Sequence, residues 1–512
     1  MRGERNIQPL NDDYVKFLTL SQRLRSVTGC GVLGMITNRS FINGKIHPGL
    51  REILLKVFPR FGIVDLGGDT RSGETQVDEN VFDITQGVAI SLWSSIGNRQ
   101  CYVRVRGRRA EKYERLTGVA IGDWIDVNPS PYAFLLTPQD SAVTAEYRAF
   151  PSLRDLMPFS LPGVKTSKDA VFYAFTEEEL RQQIDGAGIR WNTNCVTRSL
   201  YRPMDWRYLY YDPARLGRAR PDLAKHVLDG KTISLIAMRQ VVNEEISHFG
   251  VCRGICCHGC FFLGNKGQDY QHPLQLHEDQ LFRRGSSTDV VMNVSPAGQK
   301  WLTGITGKLA KENPEAWLNY VYAIFHSPTY RTRYVSLLKD DFPRLPLTGN
   351  LELFRALARL GGELTALHLL ESPKLAQPIT EFIGGRNPEV EKISWSRDTV
   401  WVDKAQTTGF RGVREPVWNF HIGGYQVCEK WLKDRKGRTL SQRDIAHYQK
   451  IVVALAETIR IMKEIDEVIE QRGGWPGAFQ AHGASRAPER EPLLKVAEPR
   501  SAYGESSDGE SE

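Results

Sequence analysis

Residues 248–262 read HFGVCRGICCHGCFF and put four thiols (Cys252, Cys256, Cys257 and Cys260) beside the imidazoles of His248 and His258. Sulfur and imidazole nitrogen are the donors zinc takes, but structural zinc sites draw on two separated ligand pairs, and no second pair follows here. Cys256 and Cys257 are adjacent, so on a strand they would point to opposite faces. The expected reading is therefore a group of small buried thiols with no zinc. A metal-dependent enzyme built on this cluster is the competing reading, and the zinc content of the purified protein separates the two.

Two other stretches carry cations in a pattern suited to anions. RQCYVRVRGRRAEKYER (99–115) holds seven Arg or Lys against two Glu. If it is a strand, Arg104, Arg106 and Arg108 fall on one face as a row of three guanidinium groups; a solvated exposed strand fits the same pattern. RSLYRPMDWRYLYYDPARLGRAR (198–220) holds six arginines and two aspartates interleaved with Tyr201, Trp206, Tyr208, Tyr210 and Tyr211. Arginine pairs bidentately with phosphate or guanine, and aromatic rings either pack the scaffold or stack on bases. Trp206 and several of the tyrosines are expected in the core. His326 in FHSPTYRTRY and His421 in NFHIGGYQVCEKW have no nearby nucleophile; helix packing and a tight glycine turn seating the last helix are their expected roles.

The elements that would hold these groups alternate. DDYVKFLTLSQRLRSV has Val15, Leu18 and Leu24 at helical spacing, GCGVLGMITN is a strand-like apolar run, and PGLREILLKVF is a short helix opened by Pro48. GIVDLGG reads as a buried strand, followed by NVFDITQGVAISLW and QCYVRVRG as two neighbours. That order predicts the second half of a three-layer α/β sheet. No strand-plus-glycine-loop unit precedes it, so the chain is expected to start inside a domain or to complete one supplied by another polypeptide. The clearest helix follows residue 437: Ser441 and Asp444 form a cap, and Ile451, Leu455, Ile459, Met462, Ile465 and Ile469 recur at helical spacing up to Gly473-Gly474. Beyond it, a Pro-, Ser-, Gly- and Glu-rich tail is expected to be disordered.

The 512 residues suffice for two to four domains, with 41% hydrophobic and 25% charged residues. No 18-residue apolar run or signal-peptide core is present, so no membrane association is expected, and eight cysteines without a secretion signal suggest reduced cytoplasmic thiols. The net charge of +7 is uneven, because the tail from Gly474 carries seven acids against four bases. The excess permits nucleic-acid binding without requiring it.

Several stretches together resemble one family. GVLGMITNRSFINGKIHPGLREILLKVFPRFGIVDLGGDTR and DENVFDITQGVAI resemble the later motifs of γ-type DNA adenine-N6 methyltransferases. RPMDWRYLYYDP, YVYAIFHSPTYRTRY, DFPRLPL and VWNFHIGGYQVCEKWLKDRKGRTLSQRDIAHYQKIVVALAETI resemble the C-terminal half of Type ISP restriction–modification enzymes. The likeness spans roughly residues 8–472. It implies an α/β chain: a partial Rossmann-like methyltransferase sheet (1–110), a connector (111–190), a mixed α+β target-recognition domain (191–437), a C-terminal helix (438–473) and the tail (474–512). It implies double-stranded DNA as partner, with Arg202, Arg207 and Arg218 as candidate contacts beside Arg104, Arg106 and Arg108. It matches Phe82 to the aromatic residue that stacks on an extruded adenine; the strand pattern alone equally allows a core Phe. Asn38 either lines the base pocket or is simply a turn residue. In that family the same polypeptide carries nuclease, helicase-like ATPase and methyltransferase motifs, so an N-terminal segment or partner chain with these parts is expected. A free-standing DNA-binding subunit or remnant without catalysis is the alternative.

DWIDVNPSPYAF (123–134) looks like the Asn-Pro-Pro-Tyr signature of such methyltransferases, but Ser130 splits the prolines. The family motif precedes the first helix, whereas NPSPY lies about ninety residues downstream of MITNRSF. Tandem prolines position the Asn amide and a main-chain carbonyl on the adenine amino group, and an inserted residue breaks that geometry. The stretch is read as a proline-braced connector. With this motif and the cofactor loop both missing, no catalytic residue is assigned. S-adenosylmethionine is expected to serve the complete enzyme only and not to bind this chain alone.

Overall fold

The computed structural model describes residues 11–44, 47–69, 78–118, 122–129, 134–138, 141–241, 245–261, 267–277, 290–307, 313–339, 341–385 and 387–480. The first elements are α1 (Asp13–Thr28), β1 (Val32–Asn38), α2 (Pro48–Val57), β2 (Arg60–Gly67), β3 (Val88–Ser94), β4 (Gln100–Arg104), α3 (Arg109–Thr117) and β5 (Ile125–Asp126). They form one sheet in the order β1-β3-β2-β4-β5, in which β2 and β4 are parallel and β3 pairs antiparallel with both β1 and β2. Central β2 is buried on both faces, which explains its unbroken apolar run. On one side Phe61 and Ile63 pack with Phe41, Leu50, Leu54 and Trp93; on the other Val64 and Leu66 pack with Val88, Val103 and Val105.

The β1 side of this unit is bare. Val32 is 80% exposed and Ile36 52%, and Leu92, which pairs with Gly34 between them, is 50% exposed. On α1 only Val15 and Leu18 are buried; Phe17, Leu20, Leu24 and Val27 face outward.

Two four-stranded sheets follow. β6 (Leu161–Pro162), β10 (Ile233–Met238), β11 (Phe249–Arg253) and β13 (Asp269–Pro273) make the order β11-β10-β13-β6. β7 (Tyr173–Ala174), β8 (Val196–Arg202), β9 (Asp205–Tyr210) and β12 (Ile255–Cys256) make β12-β8-β9-β7. Helices α4 (Pro221–Val227), α5 (Glu315–His326) and α6 (Leu351–His368) and the long α7 (Gln442–Glu470) complete the region that positions the candidate site. A core running from β10 and β11 through α5 and α6 to α7 unites it.

The predicted C-terminal helix is present. Ser441 Oγ accepts from Asp444 N, and Asp444 Oδ2 accepts from Ser441 N, so local side chains satisfy the orphan donors at its start. Ile451, Leu455, Ile465 and Ile469 are buried, with Ile459 and Met462 half-buried. The SPTY turn is anchored on this helix: Asp466 accepts from the Ser327 hydroxyl and, at 2.9 Å, from Thr329 N. His326 is buried in α5, its Nδ1 2.8 Å from Tyr322 O, and His421 opens a small hairpin with Tyr425-Gln426 that turns through Gly423 at φ +62°.

Three local expectations need correcting. The strand predicted to begin near Val81 begins at Val88, because residues 81–86 bend around Asn80. β4 stops at Arg104 rather than continuing to residue 108. Residues 474–480, read from sequence as disordered, are packed: the Trp475 ring lies 5.7 Å from Tyr330 and 4.5 Å from Phe479, and Thr348 Oγ1 donates to Ala478 O. The rest of the predicted disordered tail lies outside the described residues, as do Ser130, Pro131 and Tyr132 of NPSPY.

Candidate nucleic-acid interface

β1 and β2 both end at the edge where α/β sheets take their ligands, the carboxyl ends of the parallel strands. Asn38 closes β1; its Nδ2 donates to Gln86 Oε1 at 2.5 Å and its Oδ1 accepts from Ser40 N. Arg39 Nε donates to both oxygens of the fully buried Asp65 at 2.9 Å, and the Tyr102 hydroxyl donates to Asp65 Oδ2 at 2.7 Å. The neighbouring loop is wound round one amide. Asn80 Nδ2 donates to Gly68 O, Ile84 O and Gln86 O, while its Oδ1 accepts from Phe82 N. The result is a hydrogen-bonded bend that leaves Phe82 42% and Ile84 49% exposed. Phe82 is therefore not a core residue of a buried strand. Asn38 is tied through Gln86 to the loop that carries Phe82, and the Asn80 loop is a feature the strand reading missed. An Asn followed two residues later by the donor N–H is a recognisable Asx-turn signal.

The row of three arginines does not form. The chain leaves the sheet after the half-buried Arg104, turns at Gly107 (φ +127°), and reaches α3 with Arg108 as the residue before it. Asp78 causes the turn, accepting from Gly107 N and Gly68 N. Burial would raise the Asp78 carboxyl, but the fully buried Lys112 at 2.7 Å and the two N–H donors hold it below the ordinary range. Arg106 and Arg108 are exposed, on a connector rather than on a strand face.

Arg202 and Arg207 require correction as DNA contacts, since both are buried. Arg207 donates to Asp205 Oδ2 through Nε (3.0 Å) and Nη2 (2.9 Å), and to Asp434 Oδ2 at 3.0 Å. Its guanidinium stacks 3.8 Å from the Tyr201 ring and 4.4 Å from Phe175. Arg435 donates to the other Asp205 oxygen at 2.8 Å and lies over Trp431. Burial would raise Asp205, but Arg435 and Arg207 hold it below the usual carboxylate range. Of these residues Arg435, Phe175 and Trp431 line a cleft of about 480 Å³, together with Trp206, Tyr208 and Arg198. Arg202 donates to Tyr201 O and lies 4.0 Å from that tyrosine's ring. Arg207 spends its donors on two carboxylates, and Arg202 lies beneath the surface, so neither is placed to meet a phosphate. Arg218 differs, being exposed on the segment that leads from β9 to α4.

The four cysteines of 252–260 are buried and unpaired, and burial pushes their thiols up, that of Cys257 to about 11. No three His, Cys, Asp or Glu side chains gather in metal-binding geometry among the described residues. His248 is buried with neither ring nitrogen partnered, and burial, then Arg331, lowers it to about 3.

The chain's dinucleotide-like glycine pattern does not form a nucleotide cradle. A Gly-x-Gly-x-x-Gly pattern does occur, Gly29-Cys30-Gly31-Val32-Leu33-Gly34, but it joins α1 to β1 and its last glycine lies inside the strand. A cofactor cradle needs the reverse order, strand then loop then helix N-terminus, at the opposite edge of the sheet. No helix among the described residues is long and apolar enough to cross a membrane.

Comparison with known proteins agrees with this architecture. Residues 185–464 match the model of the Type ISP C-terminal specificity domain. The fold resembles that of the ATP-dependent Type ISP restriction–modification enzyme LlaBIII bound to DNA (TM-score 0.67, 19% identity, 90% of this chain and 34% of that one). It also resembles a nuclease-deletion mutant of the Type ISP enzyme LlaGI in complex with a DNA substrate mimic (TM-score 0.63, 18% identity, 90% and 41%). The DrdV–DNA complex is similar too (TM-score 0.64, 19% identity, 89% and 52%). The chain thus spans about a third to a half of the length of these structures. No curated protein matches it. With more than half of its residues matched and its mixed α/β sheets and long terminal helix in place, the chain belongs to the Type ISP C-terminal specificity domain family.

Proposed function

We propose that this chain is the target-recognition part of a site-specific DNA adenine-N6 methyltransferase and restriction enzyme, binding duplex DNA and holding the extruded adenine against Phe82. The observation that carries this is the specificity-domain match over 185–464, on a fold shared with enzymes solved on DNA. The exposed Phe82 ring, on a loop tied to Asn38 through Gln86, supports the base-holding role, since an unpaired base gains stacking energy on such a ring. On this reading the chain's share of the reaction is to grip and position the duplex, and we expect no methyl transfer from it alone. S-adenosylmethionine and the catalytic Asn belong to the complementary methyltransferase segment. The bare sheet face of Val32, Ile36 and Leu92, opposite the face that α1 covers, favours such a segment over a free-standing binding subunit, because β1 is the edge strand and an uncovered edge and apolar face invite a strand and helix.

Fluorescence anisotropy with a labelled duplex tests this. Each phosphate contact contributes a slope of about −0.9 in log affinity against log salt, so three contacts weaken binding about 40-fold between 50 and 200 mM salt. Absence of duplex binding in dilute buffer, or methyl transfer from labelled S-adenosylmethionine by the purified chain, overturns the reading.

A further inference from the structure

Arg218 does not stand alone. It exchanges two backbone hydrogen bonds with Lys165 (Arg218 N to Lys165 O at 2.8 Å, Lys165 N to Arg218 O at 3.0 Å), which sets the two residues side by side on separate segments. Val164, next in the chain, accepts from His258 N at 2.7 Å, so His258 joins the same group, and Arg220 lies two residues beyond Arg218. Lys165 and Arg218 are exposed; Arg220 and His258 are half-buried. Among the described residues no carboxylate pairs with Lys165, Arg218 or Arg220. Asp222, nearest in sequence to Arg220, is exposed in the first turn of α4, and Asp169, nearest to Lys165, accepts from Thr166 and the Tyr201 hydroxyl. Arg220 Nε and His258 Nδ1 are buried without partners.

The cations repel one another. Burial and then Arg218 lower Arg220, while burial and then Lys165, Arg220 and Arg218 lower His258. The backbone is strained to hold them. Ser167 (φ +63°) and Arg220 (φ +60°) are both left-handed, at about 1–3 kcal/mol each for side-chain-bearing residues. Gly217 is pressed so close to the 165–167 turn that an added Cβ would lie 2.1 Å from Ser167 Oγ. Like charges held together by strained turns, with no internal counter-charge, suit an external anion.

We infer that Lys165, Arg218 and Arg220 form a clamp for a backbone phosphate of the bound duplex, with His258 at its floor. The assignment rests on the duplex-binding reading and adds the place where the specificity domain holds the phosphodiester chain. Such a contact sets register without reading sequence.

The experiment measures anisotropy with a labelled duplex of arbitrary sequence over a salt series, for wild type, Lys165→Gln/Arg218→Gln and the charge-matched control Lys404→Gln/Lys450→Gln, exposed elsewhere. The first double variant should lose about one unit of salt slope and bind all sequences roughly ten-fold more weakly at low salt, while the control keeps the wild-type slope. Both altered clamp side chains are exposed, so unfolding midpoints should match; Lys165→Arg should retain the slope. An unchanged slope in the clamp variant, or an equal loss in the control, overturns the clamp alone. A wild type that binds no duplex overturns the clamp and the duplex-binding reading together.

Discussion

Arg207→Ala should unfold the specificity region rather than relax its choice of base pair. The substitution strips Asp434 of one of its two cations and leaves Asp205, fully buried, with Arg435 alone. Removing one member of a buried charge network costs about 3–5 kcal/mol, because the remaining charges are desolvated without compensation. The stacked faces of Tyr201 and Phe175 lose their cation as well. Urea denaturation should show a large fall in midpoint, and Arg207→Lys should recover only part of it, since a point charge cannot bridge two carboxylates while lying flat on two rings. The network also has a pH signature. The folded-state carboxyl of Asp205 lies below its ordinary value, so its contribution is present above the unfolded value of about 3.9 and is lost as pH falls through the lower folded value. Acid destabilisation below about pH 4 should be blunted in Asp205→Asn. Full stability of Arg207→Ala, combined with altered preference at one base pair, would place this guanidinium in the groove after all.

The second large effect concerns two adjacent glycines. On α6, a Cβ at Gly361 would lie 1.8 Å from Asn319 O and 2.6 Å from Asn319 C, both backbone atoms of α5. A Cβ at Gly362 would meet only the Asn319 side-chain amide, at 3.2 Å. Helix propensity favours alanine over glycine by about 1 kcal/mol at either position. At Gly361 the helices must separate, and the overpacking should cost about 3 kcal/mol in spite of that gain. At Gly362 the amide can yield, and the change should be close to neutral. Denaturation of the two single variants checks the contrast; equal effects would mean that α5 and α6 do not touch at Gly361.

Some of the candidate site could be read before any coordinates. Asn38 was legible as the end of a strand at the carboxyl edge and Phe82 through the family likeness, whereas the Asn80 loop that ties them through Gln86 was not. The arginines could not be sorted in this way. Arg202, Arg207 and Arg218 share one tract of similar composition, and nothing local distinguishes a guanidinium that closes a core network from one that faces water. For Arg207 the answer lies 227 residues away at Asp434, and the Asp205 that holds it is completed by Arg435, 230 residues away. The partners of Arg218 are equally remote. Lys165 carries no motif, His258 reads from sequence only as a candidate zinc ligand, and the backbone bridge and the β12-side turn bring both beside it.

Amino-acid order alone was enough for the long terminal helix, whose capping box and 3.6-residue apolar period act within a few residues of one another, and for the apolar run of β2. It also carried the family likeness, because long motifs preserve local packing chemistry. Tertiary contacts settled where β4 stops, how Phe82 is presented and which cations remain available. Those outcomes depend on burial and counter-charge, which are properties of distant segments brought together: Asp78 turns the chain at Gly107, and Asp434 closes off Arg207.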